Sequence, residues 1–147
     1  MARRISFTLG LAVSLLLLAS ALPARAQAIW TWTNQYGSVL AVNSVNNNTG
    51  AITGTYTNNA PGSCGVGRAQ GMTGWLAWGS NGTAISFSVN FLGCASTTVW
   101  TGQLQSNSNF QGLWYLSLGA PVVWNGVSAG ADQFTFKSGN AEALFKH

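Results

Sequence analysis

Ser86-Phe87-Ser88-Val89-Asn90-Phe91 sets a small polar side chain beside a bulky apolar one at every step. In an extended chain successive side chains point to opposite faces, so Phe87, Val89 and Phe91 share one face while Ser86, Ser88 and Asn90 take the other. A helix would scatter both sets around its circumference. A few residues on, Thr98-Val99-Trp100-Thr101-Gly102-Gln103-Leu104 keeps the same period, with Trp100 and Leu104 on the face of Thr98 and Gly102. Both stretches predict strands.

Outward from this pair, segments of β propensity recur at short spacing, at 29–33, 38–43, 51–57, 72–78, 84–91, 97–104, 112–118 and 132–137. Asn46-Asn47-Asn48-Thr49-Gly50, Gly79-Ser80-Asn81-Gly82 and Gln105-Ser106-Asn107-Ser108-Asn109 supply turns between antiparallel neighbours. Composition agrees: the 147 residues hold 18 Gly, 7 Trp and 7 Phe but only 3 Pro, and 5% are charged, which excludes a coiled coil or a disordered tail protein. Eight short strands in a chain of this length suit closure into a barrel, which removes both sheet edges and leaves room for one small ligand. Asn34, Ser38, Ser96 and Thr98 belong to the polar set expected inside it. Buried groups of this kind need partners, and a compact polar ligand would supply them.

The formal charge of +4 is uneven, because Arg3, Arg4 and Arg25 lie in the first 25 positions. Residues 1–26 have the layout of an export signal: a basic start, an apolar run over 5–22 and a small-residue cleavage site at Ala24-Arg25-Ala26. Beyond it Arg68, Lys137 and Lys146 face Asp132 and Glu142, a net charge of +1. No basic stripe remains to neutralise a phosphate backbone, which argues against nucleic acid as a partner. The expected product is secreted or periplasmic, with no membrane attachment after cleavage, a single domain over 27–137 and a tail over 138–147. That tail admits a disordered end, a short helix or a segment docked on the barrel or on a neighbour. Cys64 and Cys94 are the only cysteines, and an oxidising compartment favours their pairing.

The inventory argues against an enzyme. His147 is the only histidine, and Asp132 and Glu142 are the only carboxylates. They make no convincing acid and base pair, no metal-ligand spacing, phosphate loop or nucleophile elbow occurs, and no cofactor or metal is expected. Aromatic surface with neutral hydrogen-bonding groups is instead the equipment of a binder.

Trp32-Thr33-Asn34-Gln35-Tyr36-Gly37-Ser38 resembles the opening of the avidin and streptavidin family of biotin-binding proteins. The resemblance continues, in the family's order, at Gly50-Ala51-Ile52-Thr53-Gly54-Thr55-Tyr56, Thr73-Gly74, Ser96-Thr97-Thr98-Val99-Trp100-Thr101-Gly102-Gln103, Trp114-Tyr115-Leu116 and Asp132-Gln133-Phe134-Thr135-Phe136. It implies a bacterial member with an all-β, eight-stranded antiparallel up-and-down barrel and biotin at one open end. By the same resemblance Asn34, Ser38 and Tyr56 would donate to the ureido oxygen. Asp132, backed by a hydrogen bond to Asn34, and Asn58 would accept the two ureido N–H groups. Thr98 would face the ring sulfur and Ser96 the carboxylate end. Phe91, Trp100 and Trp114 would wall the bicyclic ring, Phe91 standing where tryptophan is usual.

Each position also has a plainer reading: Asn34 as a turn residue before Gly37, Tyr56 and Trp100 as core aromatics, Asp132 as a solvated strand-start residue. Trp30, Trp75 and Trp78 match no ligand role. Trp124, eight residues before Asp132, has the spacing of the tryptophan that covers biotin in a neighbouring subunit of tetrameric members. Cys64 and Cys94 resemble instead the disulfide of dimeric bacterial members. A homo-oligomer follows from either, and an exposed tryptophan favours the tetramer. The alternative function is a structural or protein-interaction barrel that has lost biotin.

Overall fold

The computed structural model describes residues 27–119 and 126–145. The expected export signal and Trp124 lie outside the described residues. Eight strands follow in order: β1 (Trp30–Thr33), β2 (Val39–Val45), β3 (Ala51–Thr57), β4 (Ala69–Gly79), β5 (Gly82–Phe91), β6 (Ser96–Leu104), β7 (Phe110–Leu118) and β8 (Val127–Gly139). Each pairs antiparallel with the next, and β8 returns to β1, so the sheet is a closed up-and-down barrel. Every strand expected from the sequence is present, but β4 begins at Ala69 rather than 72, and β8 spans Val127–Gly139 rather than 132–137. The added residues are mostly Ala, Gly and Ser, poor strand formers alone. Pairing holds them extended, Ala69 against Thr57, Ala129 against Tyr115 and Gly130 against Trp114.

Alternation fills the interior as the sequence indicated. On β5, Thr83, Ile85, Phe87, Val89 and Phe91 are all buried, and on β6 Thr98, Trp100 and Leu104 are. The rings form a continuous column. Tyr56 lies against Trp100 at 4.9 Å, Trp100 stacks on Phe87 at 4.8 Å, Phe87 meets Phe134 edge-on, and Phe134 stacks on Phe110 at 4.5 Å. Trp32 ends it, wholly buried, edge-on to Phe110 and Phe136, its indole N–H donating to the Ser108 carbonyl at 2.7 Å. Among the described residues such a column fills the lower barrel and leaves the opposite end open to a ligand.

The other end is stoppered. After β8, Asn140 caps a short 3-10 helix, Ala141–Leu144, its side chain accepting from the Glu142 N–H. Leu144 is wholly buried in the core. The Thr83 hydroxyl donates to the Leu144 carbonyl at 2.7 Å, and the Trp30 indole N–H donates to the Asn140 carbonyl at 2.9 Å. Of the fates open to the tail in the sequence, two are adopted together, a short helix and docking on the barrel, and the folded body extends past residue 137.

Candidate ligand-binding site

The open end is a pocket of about 350 Å³, reached past the β1–β2, β3–β4 and β5–β6 loops. Its wall includes Asn34, Tyr56, Asn58, Phe91, Ser96, Thr98, Trp100, Trp114 and Asp132. Of the expected site residues among those described, only Ser38 is absent from the wall; it is wholly buried, and its side chain hydrogen-bonds to the wall residue Tyr56.

Asn34 serves two purposes at once. Its Oδ1 accepts from the Tyr36 and Ser38 backbone N–H groups at 3.0 and 2.9 Å, shaping the tight turn in which Gly37 takes φ +76°. With its oxygen held there, its Nδ2 donates to the Tyr56 hydroxyl at 3.4 Å. The turn reading of this residue is therefore realised, and the same residue also lines the pocket. Ser38 Oγ accepts from the Asn59 N–H at 2.9 Å and donates to Asn58 Oδ1 at 3.5 Å. Asn58 in turn organises the following loop, accepting from the Ala60 N–H at 3.0 Å and donating to Ser63 Oγ at 2.7 Å.

Asp132 is buried on β8, and its partners differ from those the resemblance implied. The carboxylate accepts from Trp100 Nε1 at 2.9 Å and from Gln35 Nε2 at 3.0 Å; no bond to Asn34 is present among the described residues. The reason is geometric, since the Asn34 amide oxygen is committed to the turn and its Nδ2 faces Tyr56. Gln35 is the group missed from sequence. Its Oε1 also accepts from the Gln133 N–H at 2.8 Å, so one side chain grips β8 on both sides of the carboxylate's backbone. A polar residue directly after the site asparagine was the available signal. Tyr36, Ser63, Leu116 and Leu118 also line the pocket and had not been singled out.

Thr98 Oγ1 is buried with no hydrogen-bond partner among the described residues, in a wall that also holds the rings of Tyr56, Phe91, Trp100 and Trp114. An orphaned hydroxyl in such a place is a cost unless a ligand supplies its partner. Burial pushes the Tyr56 phenol up to about 12, opposed by its hydrogen bond with Ser38 and reinforced by the charge of Asp132. The hydroxyl thus stays a protonated donor throughout the neutral range. Because the folded value lies above the ordinary 10, the stability this phenol contributes is complete below pH 10 and lost as pH rises towards 12. Thermal melts across that window should show the decline in the native protein and a shallower one in Tyr56→Phe.

Cys64 and Cys94 form a disulfide that ties the β3–β4 loop to the β5–β6 loop, and both line the pocket. The β3–β4 loop over residues 58–68 is thereby fastened at the pocket mouth. Among the described residues no group of three His, Cys, Asp or Glu could hold a metal ion.

The avidin family model matches residues 23–137. The chain is similar to core-bradavidin, with 74% identity and a TM-score of 0.72 over 74% of this chain and 98% of that one. Bradavidin shares 70% identity, with a TM-score of 0.78 over 82% of this chain and 88% of its own. A bradavidin2–biotin complex matches at 31% identity and a TM-score of 0.62, over 76% of this chain and 98% of that chain. No curated protein matches the chain. A family match spanning most of the sequence, on a closed eight-stranded barrel with this pocket, shows that the chain belongs to the avidin family.

Proposed function

We propose that this protein is a non-catalytic, high-affinity binder of biotin, held non-covalently at the open end of the barrel. The observation that carries the reading is one buried carboxylate, Asp132, in a ring-walled pocket shared with the neutral donors of Asn34 and Tyr56 and the unpartnered hydroxyl of Thr98. A cyclic urea needs such a set: donors for its oxygen, acceptors for its N–H groups and flat apolar walls for its fused rings. In this reading Asn34, Ser38 and Tyr56 donate to the ureido oxygen, the Ser38 hydroxyl turning to it from its long bond with Asn58, and Asp132 and Asn58 accept its N–H groups. Thr98 faces the sulfur, Ser96 lies towards the carboxylate, and Phe91, Trp100 and Trp114 enclose the bicycle. Relatives solved as biotin complexes, bradavidin2 and rhizavidin, support it. Fixed dipoles in a water-poor pocket act more strongly than in solvent.

Calorimetric titration of the purified protein with biotin tests this. One tight exothermic event per chain is expected; no heat and no thermal stabilisation would leave a barrel that serves as a structural or interaction module.

The β3–β4 loop over residues 58–68 is taken as the lid of the pocket; the disulfide pre-orders it, which lowers the ordering cost of binding. Reduction is expected to weaken biotin binding and to lower stability by about 3.6 kcal/mol for a loop of this size in the chain-entropy account. Equal affinity and equal lid protection from hydrogen exchange in the two redox states would refute it.

Self-association belongs to the same proposal. On the outer face Val99 pairs with Tyr115, Leu113 with Ala131 and Tyr115 with Ala129, an apolar field across β6, β7 and β8 in which Val99, Leu113 and Tyr115 are exposed. A patch of this kind on a wall almost without charge suits a second copy of the chain. The assembly proposed is a homo-oligomer, a tetramer in preference to a dimer, with Trp124 covering a neighbour's pocket. Export to a secreted or periplasmic location accords with residues 1–26 and with the disulfide.

A further inference from the structure

Inward positions of a small barrel are normally filled by side chains, yet β8 has a glycine at 130, in line with the inward Asp132 and Phe134. Its backbone is not in the left-handed region, so conformational freedom is not what places glycine there. The neighbouring ring is. Gly130 pairs with Trp114 across the β7–β8 ladder, and a Cβ at 130 would lie 2.4 Å from Trp114 Cζ2, 2.7 Å from Cε2 and 3.1 Å from Cη2. The six-membered part of the indole therefore rests on the bare backbone of β8. Its other side is the pocket, which Trp114 lines.

We propose that Gly130 is a positioning residue for ligand binding: it is the seat that sets how far Trp114 stands into the pocket, and so the width available to a flat bicyclic ligand. The proposal rests on the biotin reading above. Any side chain at 130 must lift the indole off the strand, and the open direction is the space the ligand would fill. The other inward glycines are crowded by different groups: at Gly54, Gly74 and Gly102 the nearest atom to a Cβ would be a backbone carbonyl oxygen, at 2.0, 2.0 and 2.4 Å, and at Gly112 it would meet three different rings, Phe134 at 3.0 Å, Trp100 at 3.3 Å and Phe110 at 3.4 Å. At Gly130 all three nearest atoms belong to one ring that lines the pocket, while at the outward Gly71 nothing lies within 4 Å.

The test is a double-substitution cycle with biotin as the probe, on Gly130→Ala, Trp114→Ala and the pair, with Gly71→Ala as control. Dissociation rate, melting temperature without ligand and tryptophan emission are the readouts. Gly130→Ala is expected to release biotin about tenfold faster or more and to shift the emission, because a forced overlap is relieved by displacing the ring. In the Trp114→Ala background the same change should alter dissociation less than about twofold, since distinct sites add and only touching ones couple. Equal losses in both backgrounds, or release at the native rate in Gly130→Ala, would overturn the proposal. If Gly130→Ala alone fails to fold, recovery of folding in the pair supports the seat and failure of the pair overturns it. Should the unsubstituted protein take up no biotin, the biotin reading falls by itself. The seat is then judged on melting temperature, where a penalty confined to the Trp114 background supports it and a penalty in both overturns it.

Discussion

Asp132→Ala is expected to weaken biotin binding by about 3–5 kcal/mol, roughly two to four orders of magnitude, with the barrel intact. Three donors depend on that carboxylate. Trp100 Nε1 and Gln35 Nε2 already point at it, and the ureido N–H would be the third. Hydrogen bonds to a charged acceptor contribute about 1.5–3 kcal/mol each, and a buried donor left unpaired costs a further ~1–3 kcal/mol. The Trp100 indole keeps its packing on Phe87 and Tyr56 but loses the acceptor that fixes its N–H, so a wall of the pocket is weakened together with the loss of charge. Asp132→Asn should cost less, since it keeps the shape and one acceptor oxygen. Competition binding with biotin measures both. Native affinity in Asp132→Ala would end the assignment of this residue to the site.

The second large effect belongs to the opposite end of the molecule. Leu144→Ala is expected to destabilise the fold by about 2–5 kcal/mol, as for other wholly buried leucines, and to leave biotin affinity within a few-fold of native. Deleting residues 140–147 should cost more. It uncovers the barrel floor and also strips the Thr83 hydroxyl and the Trp30 indole N–H of their acceptors. Denaturant melts with and without biotin separate the two ends. A large loss of affinity in Leu144→Ala would mean that the floor and the pocket are mechanically linked through the ring column.

The barrel was legible because its pattern is local. Phe87, Val89 and Phe91 fall on one face by spacing alone, and turn residues such as Asn46 and Asn107 announce themselves by type. What spacing cannot convey is pairing over distance. Residues 127–131 look like loop material until Tyr115 and Trp114 are set beside them, and the alternatives for the tail stay open until Leu144 is seen to complete the far end of the core. In the pocket, residue types that carry a fixed chemistry, such as Asp132, Tyr56 and Trp100, could be placed from their motifs. The orientation of amides could not. Asn34 and Gln35 are adjacent polar residues in one turn, and only the folded backbone decides that the first is consumed by the turn while the second reaches the carboxylate.

The seam between β1 and β8 has a kinetic consequence. Every other ladder joins sequence neighbours, whereas this one joins partners such as Thr31 and Ser138, 107 residues apart. Local hairpins repay their ordering entropy early, and a contact of this separation repays it late, so the ribbon zips first and closes last. The Gln35–Asp132 bond lies across that same seam, 97 residues apart in sequence. A ribbon with all its hairpins formed but its seam open would therefore be a nearly complete sheet without a complete site, and recovery of ligand uptake during refolding would time the final closure rather than the growth of the strands.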